Sequence, residues 1–529
     1  MRHLPLYIII TSIAFALLFR VVLPWAQVFQ DGVQFNTVDA YVMVRFADTF
    51  ANFGSIDYFM YYPEGASRII VFPAVIAIFS KIIGVSNNVG AALLPPLLFL
   101  LTLIPVYIIG RVLFNRWVAI GTVVLFCLLP GEILNRTMLG AADYHCWEIF
   151  LVANIMMLVI LAAYYYKNKI DLFFYSVGAL GLMVIYWYSW SGSLWLVFIL
   201  AVCLTIWVFL NTKSPVLLSM FLFGGLGIVA GVYFISPEAA NRYISLGISV
   251  FTVNIAETTT EYMSLFFSFG KFDLNTSWLY FGITFYLVLI GLGWLLYRYV
   301  KDRKPVDLVF LVWTVVALGM MISKRRFDYY FAINAAIIAS FVLVSVSIYF
   351  MKYKASMVKI IVVLMIAVCL PLIRSDYSIS TMDTYMPKDW RGATQYLRQF
   401  SDEKAYATGS KMDFGVFSLW DYGYWILEES HLSVYSMGSV GGEGRILLST
   451  DMEKAVVRLR TLNMRFVVVD DDMLKDKWYP LTNGKDIIKE DTFVYRLCNS
   501  GKVDGLTLVY AEGKVKVYEV VKGGEEVND

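Results

Sequence analysis

The chain is short of charge. Of its 529 residues only 16% are Asp, Glu, Lys or Arg, where a water-soluble domain carries about a quarter. That is too few to coat the outside of a soluble globule, and it excludes a cytosolic enzyme and a disordered chain alike. The 43 Lys and Arg nearly cancel the 41 Asp and Glu, leaving +2, so a nucleic-acid binder driven by phosphate contacts is excluded. Cysteine is scarce too: the five are scattered, with no Cys-x-x-Cys pair, which removes a secreted disulfide scaffold and makes a zinc or redox motif improbable. Histidine occurs only as His3, His145 and His431, too few for a histidine-rich metal site.

Hydrocarbon is what the chain has. Apolar residues make up 59% and the mean hydropathy is +0.66. Crossing about 30 Å of bilayer takes a run of about 20 apolar residues. Such runs fall at about 5–25, 91–111, 117–133, 147–165, 171–188, 191–210, 215–236, 277–299, 306–322, 328–351 and 358–374. The first reads as an anchor, since no small-residue cleavage site follows it. The stretch 70–85 is short and carries Pro73, which suits a surface or re-entrant helix. Past about residue 375 charges and Gly return. The fold class expected is therefore mainly α, a polytopic membrane helix bundle over 1–375 with a soluble, mixed α/β domain over 376–529. In that tail Asp389–Phe400 and Met452–Leu462 carry helical periodicity, and Arg465–Val469 and Val515–Val521 are β-branched runs.

The positive-inside rule sets an orientation. With the N-terminus in the cytoplasm, Arg111, Arg116, Lys167, Lys169, Lys213, the group 298–304 and the group 352–359 all fall on the inner side. The loops 26–90, 134–146, 237–276 and 323–327 then lie outside with the C-terminal domain. The basic loop Ser323-Lys324-Arg325-Arg326-Phe327 opposes that rule, and an anionic phosphate at the membrane surface is a physical reason for it. The outer loops also hold acids beside the membrane: Asp39, Asp143 with His145 two residues on, and Glu257. Oxygen donors with one imidazole suit Mg²⁺ or Mn²⁺ better than Zn²⁺, and charges at the hydrocarbon edge are more often functional than loop acids are.

The most specific string is Ser418-Leu419-Trp420-Asp421-Tyr422-Gly423. It resembles the Trp-Trp-Asp-Tyr-Gly hallmark of the oligosaccharyltransferase catalytic subunits at four of five positions, with Leu419 in place of the first Trp. The order of Asp39, Asp143-x-His145, Asn254-Ile255-Ala256-Glu257, a basic loop and Trp420-Asp-Tyr-Gly is similar to that family's order of motifs. Tyr62-Pro63-Glu64-Gly65 fits its Tyr-Pro-x-Gly. Asp472-x-x-Lys475 looks like its Asp-x-x-Lys, although Tyr479 stands where Met or Ile is expected. The resemblance covers about residues 26–480. Eleven expected spans against the family's usual thirteen point to a minimal, single-subunit form, as in bacteria or archaea.

The resemblance implies a GT-C-like membrane bundle and an enzyme of protein N-glycosylation. It would transfer an oligosaccharide from a polyprenyl phosphate or diphosphate to the Asn amide of Asn-x-Ser/Thr, with inversion at the sugar. It implies Mn²⁺ or Mg²⁺ held by Asp39, Asp143, His145 and Glu257. Asp39 and Glu257 would polarise the acceptor amide, and Arg326, followed by Phe327, would pair with the donor phosphate, with Arg325 as fallback. Trp420, Asp421, Tyr422, Asp472 and Lys475 would form the acceptor site. The partners implied are the lipid-linked donor, the acceptor polypeptide and membrane lipid, in a prokaryotic plasma membrane. Two other classes compete: another membrane glycosyltransferase using a lipid-phosphate sugar, and a transporter or flippase. The transporter would need buried charges within its spans and an internal repeat; Arg20 is the main charge read within a span, and no repeat is evident.

Overall fold

The computed structural model describes residues 3–30, 32–53, 71–189, 193–212, 264–268, 271–272, 274–351, 357–382, 386–403, 406, 413–435, 443–482, 485–499 and 501–521. The chain divides into two compact units: 1–25, 95–139 and 144–382 form the first, and 26–94, 140–143 and 383–529 the second. The second is discontinuous. It takes in the 26–94 segment, which the composition alone had grouped with the membrane spans.

Six helices among the described residues are long and apolar enough to cross a membrane: Leu4–Phe29, Asn87–Leu113, Tyr144–Tyr164, Lys169–Ser189, Pro305–Ser323 and Arg325–Phe350. The chain is an integral membrane protein. The expected segment at 117–133 is helical only over Arg116–Leu128. The one expected over 277–299 is not a single straight span. Helices Asn275–Phe281 and Thr284–Asp302 meet at 85°, because Gly282 turns into positive φ (53°) and ends the first of them. Leu194–Thr212 and Met357–Ser380 are helical as expected, the latter running five residues past the composition change near 375. The span expected at 215–236 lies outside the described residues.

Within the membrane unit, helix Asp328–Met351 packs against Arg116–Leu128, Thr284–Asp302 and Pro305–Ser323. Its Ala332–Ala339 stretch is almost wholly buried. Charge sits inside this apolar bundle wherever it finds partners. Arg20, in a π-helical turn, donates from Nε to Thr137 Oγ1 (3.0 Å) and from Nη1 to the Cys127 carbonyl (3.1 Å), with its guanidinium 3.7 Å above the Phe99 ring. Arg298 pairs with the fully buried Asp307 and donates to the Leu113 carbonyl. Asp328 accepts the Glu132 amide at 3.0 Å. Buried charge in the bundle is thus more common than Arg20 alone had suggested.

In the second unit, helix Val38–Phe53 packs against helices Val71–Ile83 and Gly423–Ser430. Val71–Ile83 occupies the short apolar stretch read from the sequence as a surface or re-entrant helix. The C-terminal part is mixed α/β as expected. After a small hairpin in the first unit, β1 (Phe267–Ser268) with β2 (Lys271–Phe272), come β3 (Gly415–Phe417), β4 (Ser433–Val434), β5 (Met464–Asp470), β6 (Leu506–Glu512) and β7 (Val515–Val520). These last five form one sheet in the order β4-β3-β5-β7-β6. β3 is parallel to β4 and β5, while β7 is antiparallel to β5 and β6. The core strand β5 buries Val467, Val468 and Val469 completely, as a strand covered on both faces should.

Helix Gly423–Ser430 carries a buried acid. Glu428 accepts the Tyr406 hydroxyl at 2.9 Å, while Arg45 donates to the Tyr406 carbonyl and lies 3.7 Å over its ring. Burial pushes the Glu428 carboxyl up from 4.5 to about 8. The folded chain therefore holds a proton there that the unfolded chain releases, so this group's contribution is complete below about pH 4.5 and is lost as pH rises through 8. In thermal unfolding of the full chain, Glu428→Gln should match the parent below about pH 4.5, gain an increasing Tm advantage between about pH 4.5 and 8, and keep a constant advantage above 8. Parallel Tm profiles across that range would contradict this.

Candidate active site

The residues expected on the acceptor side are placed by strand direction. β3 and β5 are adjacent and parallel, so the segments leaving their carboxyl ends emerge side by side, where ligands commonly bind in α/β sheets. β3 leads into a 3₁₀ turn, Trp420–Tyr422, and β5 into another, Asp471–Leu474. Ser418 Oγ donates to the Val468 carbonyl (2.9 Å) and fastens the first exit to the second strand. Tyr422 is buried and stacks on Trp390 at 4.3 Å. The Trp390 indole N–H donates to Asp470 Oδ2 (2.5 Å), and Asp470 Oδ1 accepts the Asp472 amide (2.7 Å). Burial raises both the Asp470 carboxyl and the Tyr422 phenol above their ordinary values. Tyr422 is therefore a support, wedged behind the turn that presents its two neighbours.

Those neighbours are poised differently. Asp421 pairs with Lys477 through Oδ2. The Trp420 indole Nε1 is buried and has no acceptor among the described residues. An indole N–H in that state is costly unless a ligand oxygen meets it. Lys475 stands exposed, while Asp472 pairs with Lys514 at 3.1 Å. The lysine that reaches Asp421 is thus Lys477, two residues on from the one the Asp-x-x-Lys spacing singled out. Leu419, where the resembled motif has Trp, is buried at 1% exposure, so it serves as packing here.

The first two acidic segments belong to the same unit and are joined by backbone. The Asn36 amide donates to the Gly140 carbonyl (3.3 Å), and the Gly140 amide to the Ala92 carbonyl (3.1 Å). Asp39, half-buried in the first turn of Val38–Phe53, and the fully buried Asp143 each lie three residues beyond that bond. Gly140 is needed there: its φ is +79°, and a Cβ would stand 3.1 Å from the Gln34 carbonyl oxygen and from Val28.

In the membrane unit, His145 is buried in the first turn of helix Tyr144–Tyr164. Its Nδ1 lies 2.8 Å from Glu148 Oε2, and its Nε2 lies 3.3 Å from Arg326 Nη2. Arg325 donates from Nε to the Ser264 carbonyl (3.2 Å). Arg326, the residue chosen for phosphate, is therefore the arginine beside the imidazole. Glu257 and the 61–65 motif lie outside the described residues. Among the described residues no three His, Cys, Asp or Glu side chains form a cluster that could hold a metal ion. One ring nitrogen of His145 is thus held by a carboxylate, as in many metal-ligating histidines, and the other faces Arg326.

No family model matches the chain. The dolichyl-phosphooligosaccharide-protein glycotransferase 3 of Archaeoglobus fulgidus is 24% identical, over 90% of this chain and 70% of the relative. The oligosaccharyltransferase of A. fulgidus, solved with an inhibitory peptide and a dolichol-phosphate, superposes with a TM-score of 0.81 at 19% identity, over 100% of this chain and 75% of that one. The chain resembles the archaeal oligosaccharyltransferases. A structure of the A. fulgidus oligosaccharyltransferase with Zn and sulfate gives 0.71 at 19% identity, over 98% and 74%. ArnT of Cupriavidus metallidurans, bound to undecaprenyl phosphate, gives 0.55 at 10% identity, over 98% of both chains. The GT-C-like bundle expected from the sequence is thus the fold, and the likeness to the oligosaccharyltransferase is stronger than that to ArnT.

Sequence reasoning passed over Glu148, Tyr329 and Tyr330, and it passed over Lys477 and Trp390. Glu148 had a signal: an acid inside an apolar helix, one turn after His145 on the same face. Trp390 and Lys477 had none, because their partners come from distant strands. The strained glycine gives a direct check. Gly140→Ala should lower stability by about 1–3 kcal/mol, read as a fall in Tm of the full chain; an unchanged Tm would show that the 34–36 segment yields freely.

Proposed function

We propose that this chain is an oligosaccharyltransferase, which moves an oligosaccharide from a polyprenyl phosphate or diphosphate to the side-chain amide of Asn in Asn-x-Ser/Thr. The observation that carries the reading is the buried Trp420 indole N–H, without an acceptor among the described residues, beside an Asp421 carboxylate. A Ser or Thr hydroxyl accepts from the first and donates to the second. An acceptor with Ala there leaves the buried Trp420 N–H unpaired, and sites built to hydrogen-bond a hydroxyl reject the analogue lacking it by factors on the order of 10⁴. Lys477 pairs with Asp421 through Oδ2 and orients the carboxylate.

The nucleophile is the other difficulty. An amide nitrogen is poor because its lone pair is delocalised into the carbonyl. Asp39 and Glu257, accepting its two N–H bonds, weaken that conjugation by preorganised charge. The nitrogen then attacks the anomeric carbon as the C–O bond to the phosphate breaks, inverting the centre. The proton leaves to one of the two carboxylates, and the phosphate departs with the bonding pair. Arg326 takes up the growing negative charge through charge-assisted hydrogen bonds.

Asp39, Asp143, His145 and Glu257 would hold Mn²⁺ or Mg²⁺, which when bound acts as a Lewis acid on the leaving phosphate. Support for a resident cation is the carboxylate-fixed His145 and the buried Asp143. The orientation follows the lysine and arginine bias: N-terminus cytoplasmic, soluble unit outside, in a prokaryotic plasma membrane. The chain acts as a single subunit, with its catalytic bundle over about 1–375 and its acceptor-binding part over 376–529.

The purified chain with a lipid-linked donor should glycosylate an Asn-Gly-Thr peptide at least about a hundredfold faster than Asn-Gly-Ala. Equal rates would end the sequon reading and favour the hydroxyl- or lipid-acceptor alternative. Asp39→Ala should lower transfer by about a thousandfold or more while donor binding is retained. EDTA should stop the reaction and Mn²⁺ restore it; full activity in chelator would remove the metal from the scheme.

A further inference from the structure

Glu148 is completely buried within the apolar helix Tyr144–Tyr164, and no step of the proposed reaction uses it. A carboxylate in that position is costly unless it is supplied with donors. Three converge on one oxygen: His145 Nδ1 (2.8 Å), the Tyr329 hydroxyl (3.1 Å) and the Tyr330 hydroxyl (3.0 Å) reach Glu148 Oε2. Tyr330 is itself backed by the Tyr186 hydroxyl at 2.8 Å, and Tyr186 by the Trp195 indole N–H at 3.3 Å.

Proton counting fixes the direction of this chain. Trp195 can only donate, so Tyr186 accepts from it. Tyr330 has one proton, which goes to Glu148, so Tyr186 donates to Tyr330. The same counting reaches the imidazole. An unprotonated Nδ1 would set its lone pair against a carboxylate oxygen at 2.8 Å, whereas an Nδ1–H donates to it; the Tyr329 hydroxyl, also 3.0 Å from Nδ1, gives its proton to Glu148 and turns its oxygen toward the ring. The second ring nitrogen, Nε2, then carries the lone pair, on the side where Arg326 Nη2 stands 3.3 Å away. Tyr329 and Tyr330 lie in the first turn of the helix that begins at Asp328, right after the Arg325–Phe327 turn. One carboxylate oxygen therefore ties the helix bearing His145 to the segment bearing Arg326.

We infer that Glu148 is a positioning residue of the site: it holds His145 in the Nδ1–H tautomer, with Nε2 presented to a divalent cation, and it fixes His145 and Arg326 in one register. The cation half of this rests on the proposed function; the tautomer half does not. Outer partners of this kind set metal affinity by about 10- to 100-fold.

The test uses the full-length chain labelled with nitrogen-15 histidine in lipid. Only three histidines exist, so a His3→Gln, His431→Gln background leaves His145 as the sole signal. Nuclear magnetic resonance should show His145 protonated on Nδ1, and Glu148→Gln should shift it toward the Nε2–H form or a mixture. Titration with Mn²⁺ alone should give a Kd about 10- to 100-fold weaker in Glu148→Gln, with Glu148→Asp recovering part of the loss. An Nε2-protonated His145 in the parent chain overturns the inference without any variant, so it stays testable even where Glu148→Gln fails to fold. Unchanged tautomer and Kd in Glu148→Gln overturn it as well. A parent chain that binds no Mn²⁺ but shows the Nδ1–H form, lost in Glu148→Gln, upholds the positioning role and removes the cation from the proposed function.

Discussion

Charge inside an apolar helix bundle must be paired, and the membrane unit is organised by that requirement. Leaving one partner of a buried pair alone costs about 3–5 kcal/mol, so each charged side chain dictates which helices meet. Arg20 binds the first helix to the Thr137 loop and the end of helix Arg116–Leu128. Arg298 with Asp307 locks two successive helices together. Asp328 holds the 131–136 turn. Glu148 gathers His145 and two tyrosines from the segment that follows Arg326. The same contacts that satisfy the charges therefore set the positions of His145, proposed to hold a cation, and Arg326, proposed to pair with the phosphate.

The second unit is proposed to solve a different problem, presenting polar groups to a peptide without losing them to water or to one another. Parallel β3 and β5 deliver two turns to one edge, and stacking of Tyr422 on Trp390 stiffens the first. Lys477 pairs with Asp421, and Leu419 is buried. Trp420 is left with a donor to offer. Specificity for a hydroxyl then follows from desolvation: what is penalised is the acceptor that fails to satisfy the pocket.

Much of this was legible in the residues. Hydropathy located most of the membrane helices, and β-branched runs located β5 and β7 to within a residue or two, because both signals are local. The motif order gave Asp39, Asp143, His145 and Trp420 as one set, and the chain folds so that the first two flank a single backbone bond between Asn36 and Gly140. What could not be read was long-range. The 85° break at Gly282 depends on one residue's positive φ. The partnership of Lys477 with Asp421 depends on two strands being neighbours, and that of Glu148 with Tyr329 and Tyr330 on two helices being so. β6, with its mixed and largely surface-facing pattern, carried too weak an alternation to stand out.

The central claim is that a pocket built on Trp420 and Asp421 selects Asn-x-Ser/Thr for glycosylation, and mass spectrometry of surface glycopeptides from cells with and without this gene tests it most directly. Glycans on Asn at Asn-x-Ser/Thr, lost with the gene and restored by the intact chain but not by Trp420→Ala with Asp421→Ala, are the expected result. An identical Asn-linked glycopeptide set with and without the gene, or glycans lost from serine or lipid alone, would contradict it.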